Sequence, residues 1–496
     1  MNMLKRLLVT ALALSASHVS AFTNKNFNSS PRPQNASLLL DSHVMRDLTM
    51  TKGKDLSHDG DRFGGNFMVS GYYSESNKAA DLGKYFGIKD KAKFDANIGN
   101  NLTADEFDLG AIIHNGALVA APKAHPVSIE LAPKTISYGV EFAYVQCLSK
   151  ILEGLHLSIS LPVERVENNM NLKVTGAAAD VTQVTTFLDG SFSTGTAAAL
   201  GNAFGDAHGG QSALKNALIK GKQTATGIAD IEAMLGYDFV RNDGWTAGLN
   251  IGVSIPTGNS VTGKYVFEPL YGNGGHWELG FGGKVCGRLW HDGDQRIGLH
   301  LSADYRYGFQ ANETRTLGIN DIDWGQYALA GVVGARQSAG EPSANGLTQA
   351  LSVTPNSALR GNLGLEYGNG GFLFGVHYAP AWRQAESVTG GKVVATSGLV
   401  PAAFALGNVA HVFGVDANLA AADNRGIVTL ATDANLSRAQ ATRESQLSHR
   451  LGGDLGYTFK EWEYPVALGV GAHYEFNKDN ASIQNWGVNI KAGIGF

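Results

Sequence analysis

The sequence predicts an all-β fold, a transmembrane antiparallel up-and-down β-barrel of about fourteen strands. Three observations predict it. Apolar and polar residues alternate along many segments, these segments are long for strands, and the connections between them are alternately tight and long. A count of about twelve or sixteen strands also fits, because long connections could contain further strands and such barrels generally have an even number.

Composition restricts the classes of protein that fit. Lys and Arg total 39 against 44 Asp and Glu, so the formal charge is -5, which lacks the basic excess of a nucleic-acid binder. Charged residues make up only 17% of the chain and Gly is 63 of 496 residues. With a mean hydropathy of -0.09, these values disfavour a helical membrane protein and a cytosolic enzyme. They suit strands that bury one face and hydrate the other.

The N-terminus predicts export. Lys5 and Arg6 precede the short apolar stretch 7–16, and Val19-Ser20-Ala21 has the small residues of a signal-peptidase site. We therefore predict a signal peptide at 1–21, a flexible periplasmic arm at 22–60 and a barrel domain at 61–496. The arm is polar and too short to form a plug domain.

The last segment shows the period of two most clearly. Trp486, Val488 and Ile490 alternate with Gly487 and Asn489, and the alternation continues to the C-terminus. Strict alternation of this kind predicts a strand with one apolar and one polar face. The same pattern predicts strands at 136–146, 154–163, 227–239, 244–256, 276–290, 296–309, 358–368, 371–382, 450–460 and 466–476. It is weakest in the three segments that precede these, at 61–73, 106–114 and 125–132.

A soluble sandwich would also alternate, but three features favour a barrel in a membrane. The segments run roughly 10–15 residues, enough to cross a bilayer at a tilt. Aromatic residues gather at both ends of the apolar faces, as at two lipid–water interfaces. Tight turns such as 242–244, 292–294, 368–371 and 461–464 fall on one side, whereas the long connections fall on the other.

On these features the chain resembles bacterial outer-membrane β-barrels, particularly porin-like barrels. The terminal strand resembles the assembly signal that such barrels present to the barrel-insertion machinery. The predicted signal residues lie on the apolar face of this strand, which ends in an aromatic residue. They are Trp486, Val488, Ile490, Ile494 and Phe496. The strand count and short arm also resemble long-chain fatty-acid transporters. The resemblance implies residence in the bacterial outer membrane.

If the apolar faces meet lipid, the alternate positions line the lumen. The predicted pore-lining basic residues are Lys284, Arg288, Arg296, Arg306, Arg360, Arg450 and Lys491. The predicted pore-lining acidic residues are Glu130, Glu141, Asp230, Glu232, Asp304 and Asp454. Acids dominate the earlier strands and bases the later ones. Such an arrangement either sets a transverse field across the lumen or pairs locally across strands.

The predicted function is a porin-like channel for passive diffusion of small polar solutes or ions. One alternative is a surface structural or adhesion barrel with a blocked lumen, and another is a fatty-acid-type transporter of hydrophobic substrates. We expect no enzyme activity, no cofactor and no metal site. The expected partners are outer-membrane lipid, the barrel-insertion machinery and small polar solutes, without nucleic acid, in a monomer or homotrimer.

Overall fold

The computed structural model describes residues 64–97, 106–108, 126–193, 212–242, 244–320, 323–327, 329–330, 341–392, 405–406, 428–429, 436–477 and 483–496. The predicted signal peptide and arm therefore lie outside the described residues. Within the described ranges, no helix is both long and apolar enough to cross a membrane.

The described chain forms a closed antiparallel barrel. Its strands are β1 (Gly65–Ser76), β2 (Lys134–Cys147), β3 (Leu155–Asn169), β4 (Ile231–Arg241), β5 (Trp245–Ile255), β6 (Glu278–Asp292), β7 (Gln295–Gly308), β8 (Asn356–Asn369), β9 (Phe372–Arg383), β10 (Gln446–Phe459), β11 (Val466–Asn477) and β12 (Asn485–Gly495). Strand β1 pairs with β12 on one side and with β2 on the other, which closes the ring.

Twelve strands make the ring, and the prediction of about fourteen is corrected. The sheet contains 13 strands in all, but Lys222–Ile228 pairs only with the far half of β3, as an extension of β4 beyond the ring. The described parts of the predicted strands 106–114 and 125–132 are Glu106–Asp108 and Val127–Glu130, and positions 109–114 lie outside the described residues. Both parts pair with Lys93–Asn97 in a separate sheet and not with the ring. Val127–Glu130 has only 4 residues, whereas a strand needs about 9–11 to cross a bilayer.

One end of the barrel has short turns and the other has the long segments, as predicted, apart from the one short outer connection at 478–484. The turns occupy 148–154, 242–244, 293–294, 370–371 and 460–465, and both barrel termini lie at the same end. Gly293 and Gly370 have positive φ angles of 56° and 58°, which a two-residue hairpin requires. We call this the turn end. The opposite end, with segments 77–133, 170–230, 256–277, 309–355, 384–445 and 478–484, is the outer end.

The two faces of the barrel differ as the period of two predicts. Leu249, Val470 and Ile490 point outward and are 63%, 50% and 68% exposed, whereas Arg306 and Lys491 point inward and are buried. Exposed aromatic side chains encircle both ends: Tyr237, Phe239, Trp245, Phe372, Phe374 and Tyr457 at the turn end, and Trp277, Tyr305, Tyr307, Phe309, Trp382, Tyr474 and Trp486 at the outer end. An exposed apolar exterior with a polar interior is the inverse of a soluble sandwich.

The outer segments fold into a cap with its own apolar core. The cap contains α1 (Ala79–Phe86), α2 (Ala178–Leu188), α3 (Ser343–Leu347), three two-stranded sheets and two larger ones. Of the larger sheets, one is formed by Lys93–Asn97, Glu106–Asp108, Val127–Glu130 and Lys173–Gly176, and the other by Ala311–Thr316, Thr348–Thr354 and Ser387–Thr389. Each of the six outer segments contributes to one cluster, represented by Phe86, Leu188, Phe267, Trp324, Leu436 and Ile483. The cap is therefore one packed unit and not six separate loops.

Candidate functional site: the charged lumen

The lumen carries most of the predicted charged residues. All seven predicted basic residues lie on inward-facing positions of barrel strands: Lys284, Arg288, Arg296, Arg306, Arg360, Arg450 and Lys491. Four of the predicted acidic residues also face inward, namely Glu141, Glu232, Asp304 and Asp454. Whether these residues line a conducting pore stays a prediction.

Two predicted acidic residues lie elsewhere. Glu130 belongs to Val127–Glu130, which pairs with Lys93–Asn97 in the cap because its apolar residues pack into the cap core. Asp230 lies between Lys222–Ile228 and β4, outside both strands. Its carboxylate accepts hydrogen bonds from the backbone N–H of Gly258 at 3.1 Å and of Asn273 at 2.6 Å. Asp230 therefore anchors segment 256–277.

Arg306 forms the centre of a cluster in the outer half of the lumen. Its guanidinium reaches from β7 across β6 and β5 to Glu232 on β4, with both terminal nitrogens on the carboxylate. Its Nε donates to Asp304 at 2.7 Å, and Nη1 lies 3.7 Å from Glu278. Arg306 thus connects the acidic strand β4 to the basic side of the barrel.

The Arg306 side chain lies over inward-facing glycines of the two neighbouring strands. Gly280 stands opposite Arg306 in the register, and Gly252 stands opposite Gly280 on the next strand. A Cβ at Gly280 would lie 3.6 Å from Arg306 Cγ. Because neither glycine has a side chain, the long arginine can lie along the wall and does not have to project into the bore.

A second pair uses the same geometry nearer the turn end. Gly248 stands between Asp238 of β4 and Lys284 of β6 in the register. Lys284 Nζ lies 3.1 Å from Asp238 Oδ1, across the intervening strand. A Cβ at Gly248 would lie 2.1 Å from that same oxygen, so only glycine permits the pair as it stands.

Two further pairs cross glycines on β10 to β12. Asp454 faces Gly471 in the register, and Lys491 faces Gly469. Lys491 Nζ donates to Asp454 Oδ1 at 3.1 Å. His377 stands opposite Gly452, with Nδ1 3.2 Å from Asp454 Oδ2.

Two of the four remaining predicted bases also have acidic neighbours. Arg450 donates to Glu475 at 2.9 Å. Arg296 lies 3.6 Å from Glu366, and His300 Nε2 lies 2.8 Å from the other oxygen of that carboxylate. The inward charges therefore pair across strands, and the pairing takes up much of the transverse charge separation that the strand order suggested.

Pairing leaves these groups little exposed. Lys284, Arg306 and Lys491 are 7%, 7% and 6% exposed, and Glu475 is 2% exposed. Charges in a wide aqueous pore would keep their contact with water. The lumen is therefore crowded at these levels.

Sequence reasoning missed several inward charges. Glu278, Glu164 and Arg383 are all buried on barrel strands. Glu278 has the same parity as Lys284 on its strand, so strict counting would have found it. Glu164 and Arg383 each lie one residue beyond a predicted strand end, where alternation alone gives no boundary.

At the turn end the lumen has an apolar layer. Met68, Ala143, Leu373 and Ala467 come from β1, β2, β9 and β11 and pack into one small cluster. All four side chains are buried inside the ring. Arg296 lies at the level of Leu373, because both stand opposite Gly368 in the register. Apolar and charged side chains therefore share the turn end of the lumen, and the cap covers the outer end.

A chain of buried charges joins three outer segments of the cap. His276 Nε2 lies 2.8 Å from Glu313, whose other oxygen lies 2.6 Å from Arg315. Arg315 continues to Glu386 at 2.7 Å, and Glu386 to Arg443 at 3.1 Å. Burial alone would lower the pKa of the Arg315 guanidinium, but the attraction of Glu386 and Glu313 outweighs it and the pKa lies above its usual value.

The predicted assembly-signal residues lie on the outward face of β12. Trp486, Val488, Ile490, Ile494 and Phe496 are all exposed, and the backbone N–H and C=O of Phe496 bond to Gly65 of β1. Their recognition by insertion machinery stays a prediction. In the described residues, no group of three or more His, Cys, Asp or Glu could hold a metal ion.

The fold is that of the bacterial outer-membrane β-barrels. No family model matches the chain, and no curated protein matches it. The structure is similar to an outer-membrane channel from Pseudomonas putida F1, with 9% identity, 88% of this chain and 96% of that chain covered, and a TM-score of 0.38. It is also similar to a FadL homologue from Pseudomonas aeruginosa, with 7% identity, 88% and 90% coverage, and a TM-score of 0.29.

A third similar structure is the toluene transporter TbuX from Ralstonia pickettii, with 10% identity, coverage of 88% and 89%, and a TM-score of 0.28. At these values the likeness concerns architecture. The function has to be argued from the residues of this chain.

Proposed function

We propose that the protein spans the bacterial outer membrane as a selective channel for small polar solutes and is closed in the conformation described. The observation that carries the proposal is the set of inward ion pairs, several of which cross glycines and leave Lys284, Arg306 and Lys491 buried. A polar lining suits polar solutes, whereas crowding of that lining opposes free diffusion.

Membrane insertion is supported by the exterior of the barrel. The twelve strands have 11 to 15 residues each, and their outward residues are apolar and exposed. Lipid offers no hydrogen-bond partners to a sheet edge, so only a closed ring is stable there. The pairing of β1 with β12 meets this requirement.

The size of the ring supports selectivity. Barrels of about eight strands are filled by their own side chains, and those of about 16 to 18 strands leave an aqueous channel. Twelve strands lie between these cases. The bore then depends on which side chains enter it, and here they are paired charges below a packed cap.

The test is conductance of the folded protein in a planar bilayer. We expect rare, small openings whose ion selectivity depends on the lumen. Replacing Arg296, Arg306 and Arg360 with Gln should shift the reversal potential toward cation selectivity. A matched triple replacement of the exposed cap residues Lys89, Lys220 and Lys264 with Gln should leave selectivity nearly unchanged. Absence of any current, or equal shifts in the two variants, would contradict the proposal.

A second candidate is a channel for hydrophobic solutes. The observation that favours it is the cap, whose apolar core is supplied by every outer segment and covers the outer end. In the same preparation, an apolar solute should then accumulate in vesicles while polar solutes do not. A surface structural or adhesion barrel would show neither transport nor current.

A further inference from the structure

Arg360 differs from the paired lumen bases Lys284, Arg306 and Lys491, because one nitrogen of its guanidinium has no hydrogen-bond partner. It lies inward on β8, directly opposite Asp304 in the β7–β8 register. Asp304 is committed to Arg306 Nε at 2.7 Å. Arg360 Nη1 is buried and has no hydrogen-bond partner in the structure.

The carboxylates near Arg360 are already shared. Glu232 is held by both terminal nitrogens of Arg306. Glu278 interacts electrostatically with Arg360, Arg306 and Arg383 together. All three local carboxylates attract Arg360 electrostatically, but Asp304 and Glu232 give their hydrogen bonds to Arg306.

A second buried polar group lies beside Arg360. Asn362 follows two residues along the same inward face, and its Oδ1 is buried without a hydrogen-bond partner. An amide of this kind can present either its oxygen or its nitrogen to a ligand. A buried polar group without a partner costs free energy, on the order of 1–3 kcal/mol.

We propose that Arg360 and Asn362 form a binding site for the carboxylate of a small solute, in the outer half of the lumen. The guanidinium donates two parallel N–H bonds to a carboxylate, and the Asn362 amide contacts a neighbouring polar group of the solute. The site rests on the proposed channel function and gives it a substrate class: small organic acids with an additional hydroxyl or amino group.

The test is direct binding of lactate to the folded full-length protein in detergent, by isothermal titration calorimetry at low chloride concentration. Lactamide is the neutral comparison of nearly equal size. We expect saturable lactate binding and at least about tenfold weaker lactamide binding, since the charge-assisted bonds are lost. Equal binding of the two, or no saturable lactate binding, would overturn the site.

Variants locate the binding. Arg360→Gln should weaken lactate binding about tenfold or more, and Arg360→Lys should retain part of it because a point charge remains without the bidentate fork. Arg288→Gln is the matched control, since Arg288 faces inward near the turn end and is exposed. If Arg360→Gln does not fold, the lactate affinity of Arg360→Lys tests the site. An affinity equal to that of wild type would show that lactate binds elsewhere.

The outcome is separable from that of the channel proposal. Binding without any bilayer current would keep the carboxylate site and remove the channel. Current without lactate binding would keep the channel and remove the site. An effect of Arg288→Gln equal to that of Arg360→Gln would reduce the site to general attraction of anions by the lumen.

Discussion

The lumen and the cap both bury charged side chains, but they provide space for them in different ways. In the lumen, Gly248 and Gly280 have no side chains, and Lys284 and Arg306 extend over these positions to carboxylates on other strands. In the cap, Glu386 pairs with both Arg315 and Arg443, and Arg315 also pairs with Glu313. One arrangement lines a surface, and the other joins separate segments.

The difference predicts different responses to loss of a charge. A lumen base that loses its partner is close to the bore, where water can solvate it if the side chains move. The guanidiniums of the cap have no such route, because Arg315 and Arg443 are each 1% exposed. Breaking one partner of a fully buried ion pair is strongly destabilising.

The largest effect is therefore expected from Glu386→Gln. This change removes the carboxylate shared by Arg315 and Arg443, both of which remain buried. We expect the cap to lose about 3–5 kcal/mol of stability, measured as faster hydrogen exchange of cap amides. Glu463→Gln, on the exposed turn 460–465, is the control and should change nothing. Equal protection in wild type and Glu386→Gln would show that the charge chain does not hold the segments together.

A smaller effect is expected in the lumen from Gly248→Ala. The new Cβ would lie 2.1 Å from Asp238 Oδ1 and 2.9 Å from the carbonyl of Tyr237. The Lys284–Asp238 pair must shift, at a cost of about 1–3 kcal/mol typical of overpacking. The urea midpoint in detergent, followed by heat-modifiable gel mobility, measures the loss.

Gly375→Ala is the matched control for that change. Gly375 also faces inward, but its nearest neighbour to an added Cβ is the Leu365 carbonyl at 3.9 Å. We expect its urea midpoint to stay within about 0.5 kcal/mol of wild type. If the two alanine variants have the same urea midpoint, the absence of a side chain at Gly248 has no special role in placing the Lys284–Asp238 pair.

The barrel could be predicted from the sequence because the period of two does not depend on which strands pair with each other. Lipid on one side and polar groups on the other impose alternation on every crossing strand, so inward positions such as Arg306 and Lys491 could be assigned by parity. The pairings could not be assigned in this way, because the distance from Arg306 to Glu232 depends on strand tilt and on glycines one and two strands away.

The cap could not be predicted from the sequence for a related reason. Its strands are as short as Gly318–Ile319 and Leu436–Ser437, which pair over a separation of more than a hundred positions along the chain. Such pieces have no periodicity of their own. Short strands also explain why too many barrel strands were predicted. Val127–Glu130 alternates as a barrel strand does, and only its length distinguishes it.

The smallest expected effect is on the pH dependence of the stability of the cap. Tyr327 is buried in the cap core, where its hydroxyl donates to the Ala217 carbonyl at 2.7 Å. Burial raises the pKa of the Tyr327 phenol. An unfolded tyrosine ionises near about pH 10, so this contribution to cap stability is complete below that pH and is lost as pH rises toward the raised value.

Tyr327→Phe removes both the hydrogen bond and the titration. At neutral pH we expect cap stability to fall by about 1 kcal/mol. Between about pH 9 and 11 the variant should lose stability less steeply than wild type, because it has no phenol to ionise on unfolding. Hydrogen exchange and proteolysis of the cap measure both effects, with Tyr464→Phe on the exposed turn as control. Parallel pH profiles for wild type and Tyr327→Phe would mean that the tyrosine reaches water before the cap opens, and that its apolar core is looser than the lumen below it.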